Sequence, residues 1–214
     1  MSARPLIVSD CDEVLLHMVS HFRDWLDEVH AVDFDLSNGS FVEAMRYRRS
    51  GELVQTEAIW EMLGGFFDTQ MERQTLVPGA DRAIERLSRE ADIVILTNLG
   101  DERREARIEQ LARHGIHLPV YTNQGPKGPA LQRILEERQP SHAVFIDDLP
   151  QHHDSVAQVA PEVSRLHFCA EPQVAGNIDC AHEAGHAHAR IDNWPEATEW
   201  ILARLAAKQR ESTL

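Results

Sequence analysis

The sequence predicts an α/β fold, a parallel β-sheet flanked by helices, with a small all-helical domain inserted after the first strand. Three observations predict it. Short apolar runs rich in β-branched residues recur along the chain and end in polar residues, as strands buried on both faces do. Amphipathic helical segments separate these runs, and strand–helix alternation implies a parallel sheet covered by helices. The stretch from Leu16 to Leu76 breaks the alternation, with helix-like pieces and no convincing strand.

The first strand is Leu6-Ile7-Val8-Ser9, ending at Asp10-Cys11-Asp12. The insert follows: His17 to Val29 carries Phe22, Trp25, Leu26 and Val29 at helical spacing, and helix-like pieces recur over Phe41 to Arg48 and Thr56 to Phe67. Asn38-Gly39, Ser50-Gly51 and Gly64-Gly65 punctuate them. Pro78-Gly79-Ala80 opens a helix that places Ala83, Ile84 and Leu87 on one side and runs to about Glu90. The second buried strand is Asp92 to Thr97. A helix over Glu102 to Arg113, with Ala106, Ile108, Leu111 and Ala112, stops at His114-Gly115. Val120-Tyr121-Thr122 is a weaker strand, then a helix from about Pro129 to Arg138 aligns Leu131, Ile134 and Leu135. Ala143 to Asp147 is the third clear strand, Val163 to Phe168 a weaker one, and the tail from Pro195 to about Lys208 is helical. The domain division is therefore a core of residues 1–15 and 77–214 and a helical domain of residues 16–76.

Composition limits the function classes. A hydrophobic content of 43% over 214 residues is that of a globular protein. The net charge of −14, from 35 acidic and 21 basic residues, would repel a phosphate backbone, so no nucleic-acid partner is expected. A small anion is compatible with it if a bound divalent cation reverses the local field. Cys11, Cys169 and Cys180 are scattered and make no disulfide framework, which suits a reducing compartment. The opening residues MSARPLIVSDCDEVLL lack the features of a secretory signal, and no apolar segment is long enough to span a bilayer. The expected setting is cytoplasmic, without a membrane partner, and the oligomeric state is left open.

In parallel α/β sheets, sites form at the carboxyl ends of the strands, and four polar stations lie there. Asp10 and Asp12 follow the first strand. Such a pair is either a turn or helix cap or a divided catalytic couple, one carboxylate attacking an electrophile and the other protonating a leaving group. Thr97-Asn98 ends the second strand and could hold a phosphoryl oxygen, although strand-end threonine also caps. Lys127 sits in the Gly/Pro-rich turn Gln124-Gly125-Pro126-Lys127-Gly128-Pro129, as either a solubilising cation or one that neutralises phosphate and fixes a carboxylate. Asp147-Asp148 ends the third clear strand, and adjacent buried acids are costly unless a cation lies among them. Asp10 and Asp148, aided by Asp147, are hard oxygen ligands that suit Mg²⁺.

These runs resemble the motifs of the haloacid dehalogenase-like hydrolase superfamily. LIVSDCDEVL resembles its first motif, IVILTN its second, GPKGPAL its lysine station and VFIDDLP its acidic fourth motif, in the same order and over essentially the whole chain. The resemblance implies a Rossmann-like core with a helical cap between the first and second motifs, and a phosphatase acting on a small phosphorylated metabolite. It implies that Asp10 attacks phosphorus and forms an aspartyl-phosphate, while Asp12 protonates the leaving oxygen, later activates water, and lends its carbonyl to Mg²⁺. Thr97, with Asn98, would bind the phosphoryl group; Lys127 would offset charge on it and on Asp10. Asp148 would bind the metal directly, Asp147 directly or through water.

Two departures stand out. Glu13 occupies a position that is commonly a small residue, often Gly, and is expected to point to solvent, the alternative being that it restricts substrates; His152-His153 replace an acid of the fourth motif, with Asp154 just beyond. A dehalogenase would lack the second aspartate, which is present here as Asp12. The alternatives are a phosphomutase of the same superfamily and a non-catalytic metal- or phosphate-binding regulatory protein. Arg46, Arg48 and Arg49 are either anion contacts or a solvated helix face, and the aromatic residues Trp25, Phe41, Tyr47, Trp60, Phe66 and Phe67 are assigned to the core of the insert. Cys180, His182, His186 and His188 contain metal-binding residue types, but their spacing matches no standard zinc pattern, and no metal is expected there.

Overall fold

Continuous apolar sequence forces a strand to be buried on both faces, and this sets the centre of the molecule. In the computed structural model, which describes residues 3–37 and 40–211, Leu6–Ser9 (β1) pairs in parallel with Asp92–Thr97 (β4) on one side and Ala143–Asp147 (β6) on the other. Val120–Thr122 (β5), Ser164–His167 (β7) and Ala189–Arg190 (β8) complete a six-stranded parallel sheet in the order β5-β4-β1-β6-β7-β8. The chain moves outward from β1 through β4 to β5, then returns to the other side of β1 for β6. That reversal is a topological switch point, where the strand ends open a crevice.

The side-chain alternation of the strands divides the core into two layers. Ile7, Ile93, Ile95, Val144 and Ile146 face one side, against Ala80–Leu87 (α3), Arg104–Arg113 (α4) and Trp194–Glu211 (α8). Leu6, Val8, Val94, Leu96 and Phe145 face the other, against Gly128–Arg138 (α5) and Pro150–Val159 (α6). Full burial of one such side chain is worth about 1.5–3 kcal/mol. The last helix is tied to the first loop as well, because the indole of buried Trp194 donates to the Val14 carbonyl at 2.8 Å, 180 residues away.

The insert leaves and returns through paired backbone. Leu16 bridges Leu76, His17 N–H donates to Thr75 O at 2.9 Å, and Val77 N–H donates to Leu15 O at 2.9 Å. Within it, Val19–Trp25 (α1) continues as a π-helical turn over Leu26–His30, and Thr56–Thr69 (α2) packs across it. Phe22, Trp25, Leu26, Ile59, Phe66 and Phe67 belong to a separate apolar cluster.

Two expectations for this segment are corrected. It is not all helical: Val32–Phe34 (β2) and Met45–Tyr47 (β3) form a two-stranded antiparallel ribbon, so the helix expected over Phe41 to Arg48 is absent. The ribbon buries Val32 and Met45 while Asp33 and Arg46 face solvent, an alternation only three residues long and too short to register as a period. Trp60, assigned to the core, is 53% exposed and stacks on Phe41 at a centroid distance of 6.2 Å. The expected Asn38-Gly39 turn lies outside the described residues. Also unforeseen were α6, the short helix Pro172–Ala175 (α7) and β8.

Phe145 is fully buried beneath α5 and α6. Phe145→Ala is expected to lower unfolding free energy by about 3–5 kcal/mol in urea titrations; a loss below about 1 kcal/mol would contradict the two-layer core.

Candidate active site

At the switch point the ends of β1 and β6 bring the predicted acids together. Asp10 follows β1, and its N–H donates to Ile146 O of β6 at 2.8 Å. Asp147 closes β6 and Asp148 follows it. The carboxylates of Asp10, Asp147 and Asp148, all buried, each present an oxygen within 4.8 Å of the others. Lys127, with no exposed surface, reaches between two of them: its Nζ lies 2.7 Å from Asp10 Oδ1 and donates to Asp147 Oδ2 at 2.7 Å. Thr97 is buried at the end of the neighbouring strand β4.

Lys127 is placed by a close approach of two helices. A Cβ at Gly128 would lie 2.4 Å from Ser155 O, and Gly128 N–H donates to Ser155 Oγ at 3.0 Å. Only glycine lets the start of α5 approach α6 closely enough to set the lysine under Asp10 and Asp147.

The electrostatics follow from charge count and burial. Burial pushes the Asp10 carboxyl up to about 7; Lys127 pulls it down, and Asp147 and Asp12 push it up. Burial, then Asp147, Asp10 and Glu13, hold Asp148 well above the usual carboxylate range. Burial, the largest single influence, would raise Asp147, but Lys127, His152 and His153 together hold this acid below its usual value. Burial opposes the Lys127 ammonium, yet Asp10 and Asp147 raise it above its ordinary range. Three buried carboxylates thus share one lysine.

A divalent cation fits this arrangement. Asp10 Oδ1 has no hydrogen-bond partner beyond its ion-pair contact with Lys127, and the clustered donors are all hard oxygens. The residues able to hold it are Asp10, Asp147 and Asp148.

Two histidines fix the acidic pair through its backbone. Ala181 N–H donates to His167 Nδ1 at 3.1 Å, so Nε2 carries the proton and donates to Asp148 O at 2.8 Å. His153 Nε2 donates to Asp147 O at 3.0 Å, and burial lowers this imidazole to about 4. His152, also buried, lies 3.4 Å from the Asn98 amide nitrogen. Asn98, grouped in sequence with the phosphoryl contacts, is exposed and donates to Gly125 O at 3.0 Å while accepting from Asn123 Nδ2 at 2.9 Å, so its amide ties loops together.

Asp12 is held by residues that sequence reasoning missed. Fully buried Arg107 of α4 donates from one terminal nitrogen to both Asp12 oxygens at 3.0 Å, and Gln74 Nε2 donates to Oδ1 at 2.6 Å. Arg107 also donates to Cys11 Sγ at 3.3 Å and lies over the Phe67 ring at 5.7 Å. One signal could have found it: Arg107 precedes Leu111 by one helical turn, so a charge stands on the buried face. Glu13 is a correction. It is not directed to solvent but is 2% exposed, with φ +57°, the left-handed conformation for which glycine is favoured. Its Oε1 accepts from Met18 N–H at 2.7 Å and Val19 N–H at 2.6 Å, capping α1.

The remaining residues lie elsewhere. Arg48 pairs with Asp27 and, at 2.9 Å, with Asp33 on the exposed face of the ribbon, and Arg46 donates to Gly51 O at 3.3 Å. In the histidine-rich loop, His182 Nδ1 meets Ala187 O at 3.1 Å, His188 Nδ1 accepts from Arg165 N–H at 3.0 Å, and His186 lies 3.5 Å from Asp154. Cys180 is half-buried. Among the described residues, no helix is long and apolar enough to cross a membrane.

No family model matches the chain, and no curated protein matches it in sequence. Solved structures do. A haloacid dehalogenase-like hydrolase from Streptococcus pneumoniae is similar over 94% of this chain and 100% of that one, with a TM-score of 0.66 and 14% identity. A conserved haloacid dehalogenase-like protein of unknown function from Agrobacterium tumefaciens aligns over 93% and 98% with a TM-score of 0.69 and 16% identity. A hydrolase of this type from Deinococcus radiodurans, solved with bound phosphate and sodium, aligns over 96% and 98% with a TM-score of 0.69 and 15% identity. The chain therefore has the haloacid dehalogenase-like fold.

Gly128→Ala is expected to lower stability by about 1–3 kcal/mol, the usual cost of overpacking, and to lower any turnover more than tenfold by shifting Lys127. Thermal melts and activity at a temperature where the variant is folded check this; unchanged activity would show that the helix approach does not set Lys127.

Proposed function

We propose that this chain is a Mg²⁺-dependent phosphohydrolase of the haloacid dehalogenase-like superfamily, acting on a small phosphorylated metabolite through an aspartyl-phosphate. The observation that carries the reading is the buried constellation of Asp10, Lys127, Asp147 and Asp148 at the switch point. The same fold in a hydrolase solved with bound phosphate supports it. In this reading residues 16–76 are a cap over a core of residues 1–15 and 77–214.

The chemistry divides among the chain's own groups. Asp10, a carboxylate on a rigid strand end, attacks phosphorus as the bond to the leaving oxygen breaks, and Asp12 gives that oxygen its proton. In the second half, Asp12 takes a proton from water; the water attacks the aspartyl-phosphate, releasing phosphate and restoring Asp10. Thr97 holds the transferring group. Lys127 offsets negative charge on it and keeps Asp10 aimed, and preorganised charge of this kind supplies most of the catalysis in phosphoryl transfer. Arg107 and Gln74 set the direction in which Asp12 presents its carboxylate. Asp10, Asp148, the Asp12 carbonyl and, directly or through water, Asp147 would hold Mg²⁺, which when bound would supply positive charge to offset that of the phosphate.

The insert suits selection of small substrates. Its end is tied to α4 and the turn before it by the ion pairs of Arg103 with Asp68 at 2.6 Å and of Arg113 with Glu72, and by Gln110 donating to Met71 O. A bulky phosphorylated macromolecule would have to displace these contacts.

Phosphate release from p-nitrophenyl phosphate is expected with Mg²⁺, to cease with chelator, and to be abolished in Asp10→Asn. That variant should remain folded, because it removes one of three buried like charges. Inactivity of folded protein on this and on a panel of phosphorylated metabolites would overturn the reading. Arg107→Met should lower turnover about 10–100-fold, as expected for a residue that orients a catalytic one; full activity in that variant would remove Arg107 from the site.

A further inference from the structure

Glu13 carries a second unmet requirement. Its Oε1 is consumed by the N–H groups of Met18, which caps α1, and Val19, its first residue, but its Oε2 is buried without a hydrogen-bond partner, on a side chain only 3% exposed. The atom facing it is His17 Nδ1, which is also buried without a hydrogen-bond partner and lies 3.7 Å away. That separation is too long for a hydrogen bond. It is close to the edge of about 3.4 Å that separates two ligands on a tetrahedral ion with bonds of about 2.0–2.1 Å. Glu171, at the start of α7, completes the group: ligand atoms of Glu13, His17 and Glu171 lie within 4.8 Å of one another.

We propose that Glu13, His17 and Glu171 form a second metal site, taking Zn²⁺ at the root of the insert. One imidazole nitrogen and two carboxylate oxygens are a donor set suited to Zn²⁺, and three protein ligands leave a position for water. This set differs in kind from the all-oxygen cluster of Asp10, Asp147 and Asp148, which suits a harder ion. The three ligands come from three places that must keep their relative positions for the insert to sit over the core. Glu13 belongs to the loop after β1, His17 to the outgoing connection paired with Thr75, and Glu171 to the core segment after β7. Ala170 N–H donates to Glu13 O at 3.0 Å, so the core segment and the loop are already in register without an ion. A bound ion would fix the root of the insert to the core.

The test uses the full-length chain carrying Asp10→Asn, so that the acidic cluster is impaired as a competing site. Zn²⁺ binding is measured by calorimetry, and its ligands by zinc X-ray absorption, in which imidazole gives a distinctive outer-shell scattering. One tightly bound Zn²⁺ with that signature is expected. Adding His17→Gln, on a side chain 20% exposed, should weaken binding by at least about 100-fold, above the range for loss of a residue that merely supports a ligand, and abolish the signature. Glu171→Gln should weaken binding independently, and decides the matter if the His17 variant misfolds. Equal binding in the ligand variants, or bound Zn²⁺ without imidazole scattering, would overturn the site and leave Glu13 and His17 as a charge pair only. Neither result depends on whether the protein hydrolyses phosphate.

Discussion

The constraint on which the structure depends is the burial of three carboxylates around a single lysine. In water these acids would repel one another weakly; at the end of a central strand, with little solvent, their repulsion and lost hydration become large. Lys127 relieves part of this by contacting Asp10 and Asp147 together, and much of the surrounding structure serves that contact. Gly128 lets α5 approach α6 so that the lysine arrives, and two histidines hold the Asp147 and Asp148 carbonyls so that the acids stay in place. A fold optimised only for stability would replace such a cluster with apolar groups, so its retention points to chemistry.

The central sheet was legible because burial on both faces leaves a plain trace. Leu6–Ser9, Asp92–Thr97, Val120–Thr122 and Ala143–Asp147 are each the run read from sequence, since contiguous β-branched and apolar residues admit few other environments. The acids were legible for a related reason: polar residues at or directly after the ends of such runs land at one edge of a parallel sheet, while Lys127 was marked by its Gly/Pro-rich turn. The ribbon of β2 and β3 was not, because three residues per strand carry less than two periods. Arg107 and Glu13 were missed because their significance is tertiary. Arg107 satisfies a carboxylate 95 positions earlier. Glu13 looked like a solvent-facing substitute for glycine, yet it adopts the left-handed backbone and uses its carboxylate to cap the next helix.

The insert is joined to the core more firmly than two connecting strands alone would require. Backbone pairing at Leu16 and Leu76 sets its root, and two further ion pairs hold it: Arg103, just before α4, with Asp68 of α2, and Arg113 of α4 with Glu72, just after α2. Arg107 lies between, reaching Asp12 with its guanidinium while stacking against Phe67 of the insert. Any displacement of the insert would thus be felt at Asp12, through the same arginine and through Gln74. The position of the insert and the orientation of this carboxylate are mechanically linked.

The position of β1 has a further consequence, for the birth of the protein. The strand that leads into Asp10 is made before its two neighbours, which are supplied by residues 92–97 and 143–147, and the loop after it is fastened by Trp194. A chain emerging from the ribosome therefore presents an apolar strand with one hydrogen-bonding edge open until residue 97 and the other until residue 147 has been synthesised. Such delayed, non-local pairing slows folding and leaves the nascent chain prone to association. The surroundings of Asp10 are thus completed late, making this segment the natural one for a chaperone to shield.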